Sequence, residues 1–282
     1  MKITILVDNT ALFDRMFVAE HGFSAYIETG QKKILFDTGY SDACLKNAGK
    51  MGIDLLDLDY IVLSHGHFDH TGGLWHILRR HMEAEIEKTP RRIPRVIAHP
   101  RCLLPRPKPP LADIGSILSA DDIRRGMQLE LSAGPVNLTP NLVFLGEIER
   151  KTPFENVAAG PRRIVTPDGS TQEDRIVDDT SLVFRGRDGL VVITGCAHAG
   201  ICNTIEQAKT VCGEIRVLDV IGGLHLQKPG PQLDGTIAYF RDLKPAALHA
   251  CHCTSLGAKV ALARATPLEE TGVGLRLEYE ER

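Results

Sequence analysis

The sequence predicts a mixed α/β fold, α+β in its strand order, built in two halves that each open on antiparallel strands and then alternate helix with strand. Three observations carry that expectation. Two strand-like runs joined by a Gly turn precede the first helical stretch, and the same order returns after residue 180. Polar residues collect where the apolar runs end. The densest such place is Ser64-His65-Gly66-His67-Phe68-Asp69-His70-Thr71-Gly72-Gly73, directly after the apolar Ile61-Val62-Leu63.

The elements follow in order. Residues 2–7 read as a first strand closing at the turn pair Asp8-Asn9. Residues 23–28 and 33–36 make a hairpin about Gly30 and close on Asp37-Thr38-Gly39. A helix is expected over 41–48 with Ser41 as N-cap, stopped by Gly49 and Gly52. An acidic link leads to a strand at 60–63. Thr71-Gly72-Gly73 then opens a helix over about 74–88, whose Leu74, Ile77, Leu78, Met82 and Ile86 keep a helical period. A short strand at 96–98 ends at His99-Pro100. Residues 100–110 hold five prolines and read as a stiff loop, either a lid or contact element or a plain surface insertion. Short β-like runs fill 128–145, and 156–176 reads as a second long loop.

The second half begins with a hairpin, 181–184 and 190–194, ending at Gly195-Cys196-Ala197-His198-Ala199-Gly200. A helix at 203–211 leads to a strand at 217–221 that ends at Gly222-Gly223-Leu224-His225. A helix at 236–243 leads to a strand at 246–250, followed by Cys251-His252-Cys253-Thr254. A helix at 257–265 and a strand at 274–279 close the chain.

Composition narrows the class. A hydrophobic fraction of 43% and a charged fraction of 24% are those of a soluble globular protein. A net charge of −3 argues against a general nucleic-acid or membrane-surface binder. No apolar run approaches the roughly 20 residues of a membrane helix. The apolar start is too short for a signal peptide. Seven cysteines without a disulfide-framework spacing point to a reducing, cytoplasmic setting.

The histidine-rich stretch carries the chemistry. Neutral imidazole and carboxylate are ligands for a divalent first-row metal. His65 and His67 stand two apart, as same-side ligands of an extended loop do, and Asp69 and His70 follow at the turn into a helix, where they can face a second ion. Gly72 and Gly73 carry no side chains, which would let a substrate approach the backbone. One loop cannot fill two metal shells, so further ligands are expected from other strand ends: His198, His252 and His225, with His99 and His21 behind them. His225 could equally contact substrate. His76, His81 and His249 read as structural or solvated, like His99. Cys196, beside His198, would be a soft ligand favouring zinc or iron. Cys251 and Cys253 read as apolar-behaving buried thiols.

His65-Gly66-His67-Phe68-Asp69-His70 with Thr71-Gly72-Gly73 resembles the signature of the metallo-β-lactamase-fold superfamily, and Asp37 resembles its upstream aspartate that supports the metal loop. Asp8-Asn9-Thr10, Glu20-His21-Gly22, Gly195-Cys196-Ala197-His198, Gly222-Gly223-Leu224-His225-Leu226 and His252-Cys253-Thr254 together resemble one branch. Its members are labelled 7,8-dihydropterin-6-yl-methyl-4-(β-D-ribofuranosyl)aminobenzene-5′-phosphate synthase, or metal-dependent hydrolase. The resemblance implies an αββα sandwich of two mixed sheets with helices outside and the metals at one edge. The chain is expected to be one such domain over 1–282, with the Pro-rich loop at about 100–112 and the second loop at about 150–178 set into it. It also implies one ion on His65, His67 and His198 and a second on Asp69, His70 and His252. Cys196 stands in the region where many members present a bridging aspartate.

The expected function is a metal-dependent hydrolase acting on an ester- or phosphoester-type bond of a small anionic substrate. Asp69 and His225 would be its catalytic groups, with Gly72, Gly73 and His21 contacting substrate. One or two divalent ions are expected, zinc first, with iron or manganese as alternatives. The alternative functions are a synthase-like transferase joining a dihydropterin pyrophosphate to an arylamine ribose phosphate, and an iron-binding redox or sensing protein on the same fold. The expected partner is the small anionic molecule, with neither nucleic acid nor membrane; a homo-oligomer is compatible with the sequence.

Overall fold

Alternation along the strands sorts the apolar side chains into three layers. In the first strand, Ile3 and Ile5 face one way. A register shift between Ile5 and Val7 then hands both Leu6 and Val7 to the other face. The same division runs through every long strand of the computed structural model, which describes residues 1–111, 113–156 and 162–282.

The strands of the first half are β1 (Lys2–Val7), β2 (Ser24–Thr29), β3 (Lys32–Phe36), β4 (Tyr60–Val62), β5 (Arg95–Ala98) and β6 (Gln128–Leu131). Next come β7 (Val136–Asn137), β8 (Leu142–Phe144), the small hairpin β9 (Arg163–Val165) and β10 (Thr171–Glu173), and then β11 (Ser181–Gly186), β12 (Gly189–Thr194), β13 (Val217–Gly223), β14 (Ala247–Cys251) and β15 (Arg276–Glu278). One sheet has seven strands in the order β15-β1-β2-β3-β4-β5-β6; the other has six, β14-β13-β12-β11-β8-β7. Each is antiparallel in one part and parallel in the other. Pairings β3–β4, β4–β5 and β5–β6 are parallel in the first sheet, as are β12–β13 and β13–β14 in the second.

The sheets share a core. Ile3, Ile5, Ile34, Phe36 and Val62 from one meet Phe144, Leu182, Phe184, Ile193 and Ile221 from the other, all essentially inaccessible. Each such side chain contributes about 1.5–3 kcal/mol by leaving water. On the outer face of the first sheet lie α1 (Ala43–Lys50), α3 (Leu74–Glu87) and α4 (Ala120–Arg124), after a single helical turn, α2 (Phe68–Thr71). Helices α5 (Ile201–Cys212), α6 (Pro231–Leu243) and α7 (Leu256–Leu262) cover the second sheet. This is the αββα sandwich.

Several boundaries differ from expectation for local reasons. Ser41 does not cap α1. The N-cap is Asp42, and Ser41 Oγ instead donates to Glu20 while accepting from Ala43 N–H. Helix α6 starts at Pro231, five residues early, because proline at the first helical position needs no partner for an N–H it lacks. The region 156–176 is not plain loop: it contains β9 and β10, while residues 157–161 lie outside the described residues. Nor is 100–110 a plain surface insertion. Its Arg106 is fully buried and ion-paired to Asp174 at 2.9 Å and Asp178 at 2.7 Å. Among the described residues no helix is long and apolar enough to cross a membrane.

Candidate metal centre

The parallel strands all end on one edge of the sandwich, and ligand sites form outside such carboxyl ends. Strand β3 delivers Asp37, β4 the loop 64–70, β12 Cys196 and His198, β13 His225, and β14 His252 and Cys253. Asp37, Ala197, His225 and His252 are non-glycine residues held at φ between 49° and 56°. Such backbone costs about 1–3 kcal/mol per residue, and its concentration at this edge marks a site whose side-chain directions matter more than local stability.

Asp37 is the hub. Its Oδ1 accepts from Ser64 N–H at 2.7 Å, and its Oδ2 accepts from Ser64 Oγ–H at 2.6 Å and from His70 Nδ1–H at 2.7 Å. Ser64 has spent its one proton on Asp37, so its Oγ must accept from His65 Nδ1–H, 2.9 Å away. On the other side Asn9 Oδ1 accepts from Gly22 N–H and faces His252 Nδ1 at 3.0 Å. In each case the outer ring nitrogen carries a proton, and Nε2 of His65, His70 and His252 is the atom turned inward. Fixing the tautomer from outside is how metal-binding histidines are usually prepared.

The inward atoms satisfy one another only in part: His65 Nε2 lies 2.9 Å from His67 Nδ1, and His70 Nε2 3.4 Å from Cys196 Sγ. His70 Nε2 and His252 Nε2 lie 3.2 Å apart, two acceptors that repel unless a cation or proton lies between them. The buried Nε2 atoms of His67 and His198 have no hydrogen-bond partner among the described residues. Burial opposes charge on His70, but the Asp37 and Asp69 carboxylates outweigh it and push its pKa up to about 9, so a metal taking the Nε2 lone pair displaces a proton. Burial holds His65 and His198 well down, helped by neighbouring imidazoles, and brings His67 to about 3, helped by Arg106. Asp69 is held below the usual carboxylate range: burial raises it, but His70, His21 and His252 prevail.

Four donor clusters result among the described residues, and two of them pair histidines of the two halves at Cys196. His65, His198 and Cys196 form one, with His67 Nδ1 2.9 Å from His65 Nε2. His70, His252 and Cys196 form the other, with Asp69 Oδ2 3.4 Å from His252 Nε2 and 3.8 Å from His70 Nε2. Within each group the donor atoms lie within 4.8 Å of one another, and Cys196 belongs to both. The mixture of imidazole, carboxylate and thiol fits a divalent metal.

Several expected contacts fall elsewhere. Gly72 and Gly73 do not open onto substrate. A Cβ on Gly72 would come within 2.4 Å of Tyr40 O, and one on Gly73 within 2.1 Å of Thr38 O. The close approach their small size permits is by the protein's own 38–41 segment. His21 lies beside the second group, its Nε2 3.1 Å from Asp69 Oδ2. His99 instead faces Glu147, and His249 pairs with Asp219. His225 packs on His198 with ring centroids 4.2 Å apart and lines a cavity of about 650 Å³.

That cavity adds what the motifs did not show. Among the described residues, Lys108, Arg150, Arg162, Arg175 and Lys228 line it, against one carboxylate, Glu155. Glu155 is committed, accepting from Cys202 and Asn203 N–H at the start of α5, both at 2.8 Å. Arg150 donates to His198 O at 3.2 Å and so also steadies the ligand loop. Arg106 and Asp178 were missed as well. Asp178 Oδ2 accepts Gly66 N–H at 2.8 Å, and a Cβ at Gly66 would collide with Cys102 O and the Arg106 guanidinium. The glycine between the two histidines is there because this clamp closes over it. The sequence signal was an Arg held between two prolines, Pro105-Arg106-Pro107.

Two layered sheets with metal-ligand clusters at one shared edge define a metal-binding αββα protein. The chain belongs to the metallo-beta-lactamase superfamily, whose family description it matches over residues 18–211. It is 32% identical over 273 residues to the 7,8-dihydropterin-6-methyl-4-(beta-D-ribofuranosyl)-aminobenzene-5'-phosphate synthase of Methanocaldococcus jannaschii, covering 92% of this chain and 89% of that one. An uncharacterized protein of the same organism is 31% identical over 267 residues, covering 93% and 94%. The crystal structure of Tm1679, a metal-dependent hydrolase of the beta-lactamase superfamily, superposes with a TM-score of 0.82 at 28% identity and full coverage of both chains. The metallo-beta-lactamase fold protein YhfI of Bacillus subtilis shares the fold at 12% identity and a TM-score of 0.60, covering 98% of this chain and 99% of that one.

Proposed function

We propose that the protein is a metal-dependent hydrolase cleaving an ester- or phosphoester-type bond of a small anionic substrate. The observation that carries this is the pair of donor groups meeting at Cys196 beside a cavity with five cationic side chains. His65, His67 and His198 would hold one ion and Asp69, His70 and His252 the other, with Cys196 between them. Nitrogen and sulfur donors suit zinc better than manganese, which prefers oxygen. A divalent ion at such a site supplies Lewis acidity and makes water acidic enough to attack near neutral pH.

The chain's own groups do the rest. Asp69, ionised and aimed at the same place by His21 and His252, can accept a hydrogen bond from the attacking water. The cationic wall would hold the substrate's anionic group, and His225 stands between wall and metal ligands, placed to touch the scissile region. The synthase named among the relatives favours a second reading, group transfer to an arylamine, and the same cavity would serve it.

The test is hydrolysis of a phosphodiester and an aryl ester by metal-loaded protein. Chelation is expected to abolish turnover and zinc to restore it. His67→Ala should lose more than about 100-fold, beyond the loss typical of a group that only supports a ligand. Full activity in His67→Ala would sink the hydrolase reading. Release of pyrophosphate from a dihydropterin pyrophosphate only when the arylamine is present would favour transfer instead.

A further inference from the structure

Three consecutive parallel strands bring a third set of donors together at Cys196. β12 supplies Cys196, β13 supplies His225 and β14 supplies Cys253, and one ligand atom from each lies within 4.8 Å of the others. The arrangement is built rather than incidental. Gly223 leaves room for it, since a Cβ there would come within 2.6 Å of Cys253 Sγ. The His225 backbone N–H points at Cys253 Sγ at 3.2 Å, and the left-handed backbone at His225, φ 50°, turns its ring toward this edge. The buried Nδ1 of His225 has no hydrogen-bond partner among the described residues. Two sulfurs and an imidazole make a softer donor set than either histidine-rich group.

We propose that Cys196, His225 and Cys253 form a further cation position, selective for a soft divalent ion of the zinc or cadmium class. Cys253 Sγ and His225 would belong to it alone, while the Cys196 sulfur, with lone pairs to spare, would join it to the neighbouring groups. Because His225 also lines the cavity, this position would adjoin the space where a substrate binds. No redox step is involved; each thiol gives up a proton to solvent as the ion binds.

Cadmium titration of metal-free, full-length protein tests this, read by thiolate-to-cadmium charge-transfer absorbance and by cadmium content after gel filtration. Wild type and Cys212→Ser, a thiol far from the site, are expected to retain one more cadmium per chain than Cys253→Ser. Cys253→Ser should also lose the charge-transfer intensity of one thiolate. His225→Gln keeps both thiols and should weaken the same ion at least tenfold, which guards against a folding defect in the first variant. The Cys253-dependent step should survive in His67→Ala, so it stands or falls apart from the hydrolase reading. Wild-type cadmium content and absorbance in Cys253→Ser, or unchanged affinity in His225→Gln, overturns the proposal.

Discussion

Asp37→Asn is expected to lower metal affinity by about 10–100-fold without touching a ligand atom. The carboxylate accepts three donors, from Ser64 N, Ser64 Oγ and His70 Nδ1. An amide has one acceptor oxygen and must turn its NH₂ toward at least one of those donors. If the NH₂ faces His70, the neutral ring takes the other tautomer, and the inward Nε2 keeps the proton that a metal must displace. If it faces Ser64 N, the metal loop shifts. Competition with a chromophoric chelator measures the effect. Affinity within twofold of wild type would mean that Asp37 does not set the His70 tautomer.

Arg106→Leu is expected to cost about 3–5 kcal/mol of folding stability, the usual result of removing one partner from a buried ionic cluster. Asp174 and Asp178 are both nearly inaccessible, and leucine offers neither a charge. The pH dependence gives the deficit a signature. In wild type, burial raises the Asp178 pKa, but the Arg106 guanidinium and the Gly66 N–H outweigh it and hold it below its ordinary value. Its contribution is therefore present above the unfolded pKa, about 3.9, and lost as pH falls through the lower folded value. Without Arg106, burial pushes the carboxyl up, so the folded variant binds protons that the unfolded chain releases. Its deficit should be largest near neutrality and shrink on acidification. Denaturant melts across pH check this; a constant deficit would assign the loss to packing alone.

How much of this was legible in the sequence depended on whether the signal was local. His65, His67, Asp69 and His70 stand within one turn of chain, and strand grammar alone suggested that His198, His225 and His252 end strands. Apolar runs and the Gly turns between them gave the order of strands and helices in each half, while their assembly into two mixed sheets was legible only through the family resemblance. Cys253 was read as an inert thiol because its partners come from strands 28 and 57 residues away, and nothing near it marks their convergence. Gly72 and Gly73 were read as room for a substrate, since sequence cannot tell which backbone approaches a glycine. The cation-lined cavity draws on residues from 108 to 228, mostly in loops without a period.

The most direct test of the metal centre is an anomalous difference map, at the zinc absorption edge, from crystals of the zinc-loaded protein. Peaks are expected on both sides of the Cys196 sulfur, one bonded to His65, His67 and His198 and the other to Asp69, His70 and His252. A map with only one of these peaks, or with neither ion in contact with Cys196, would contradict the shared centre.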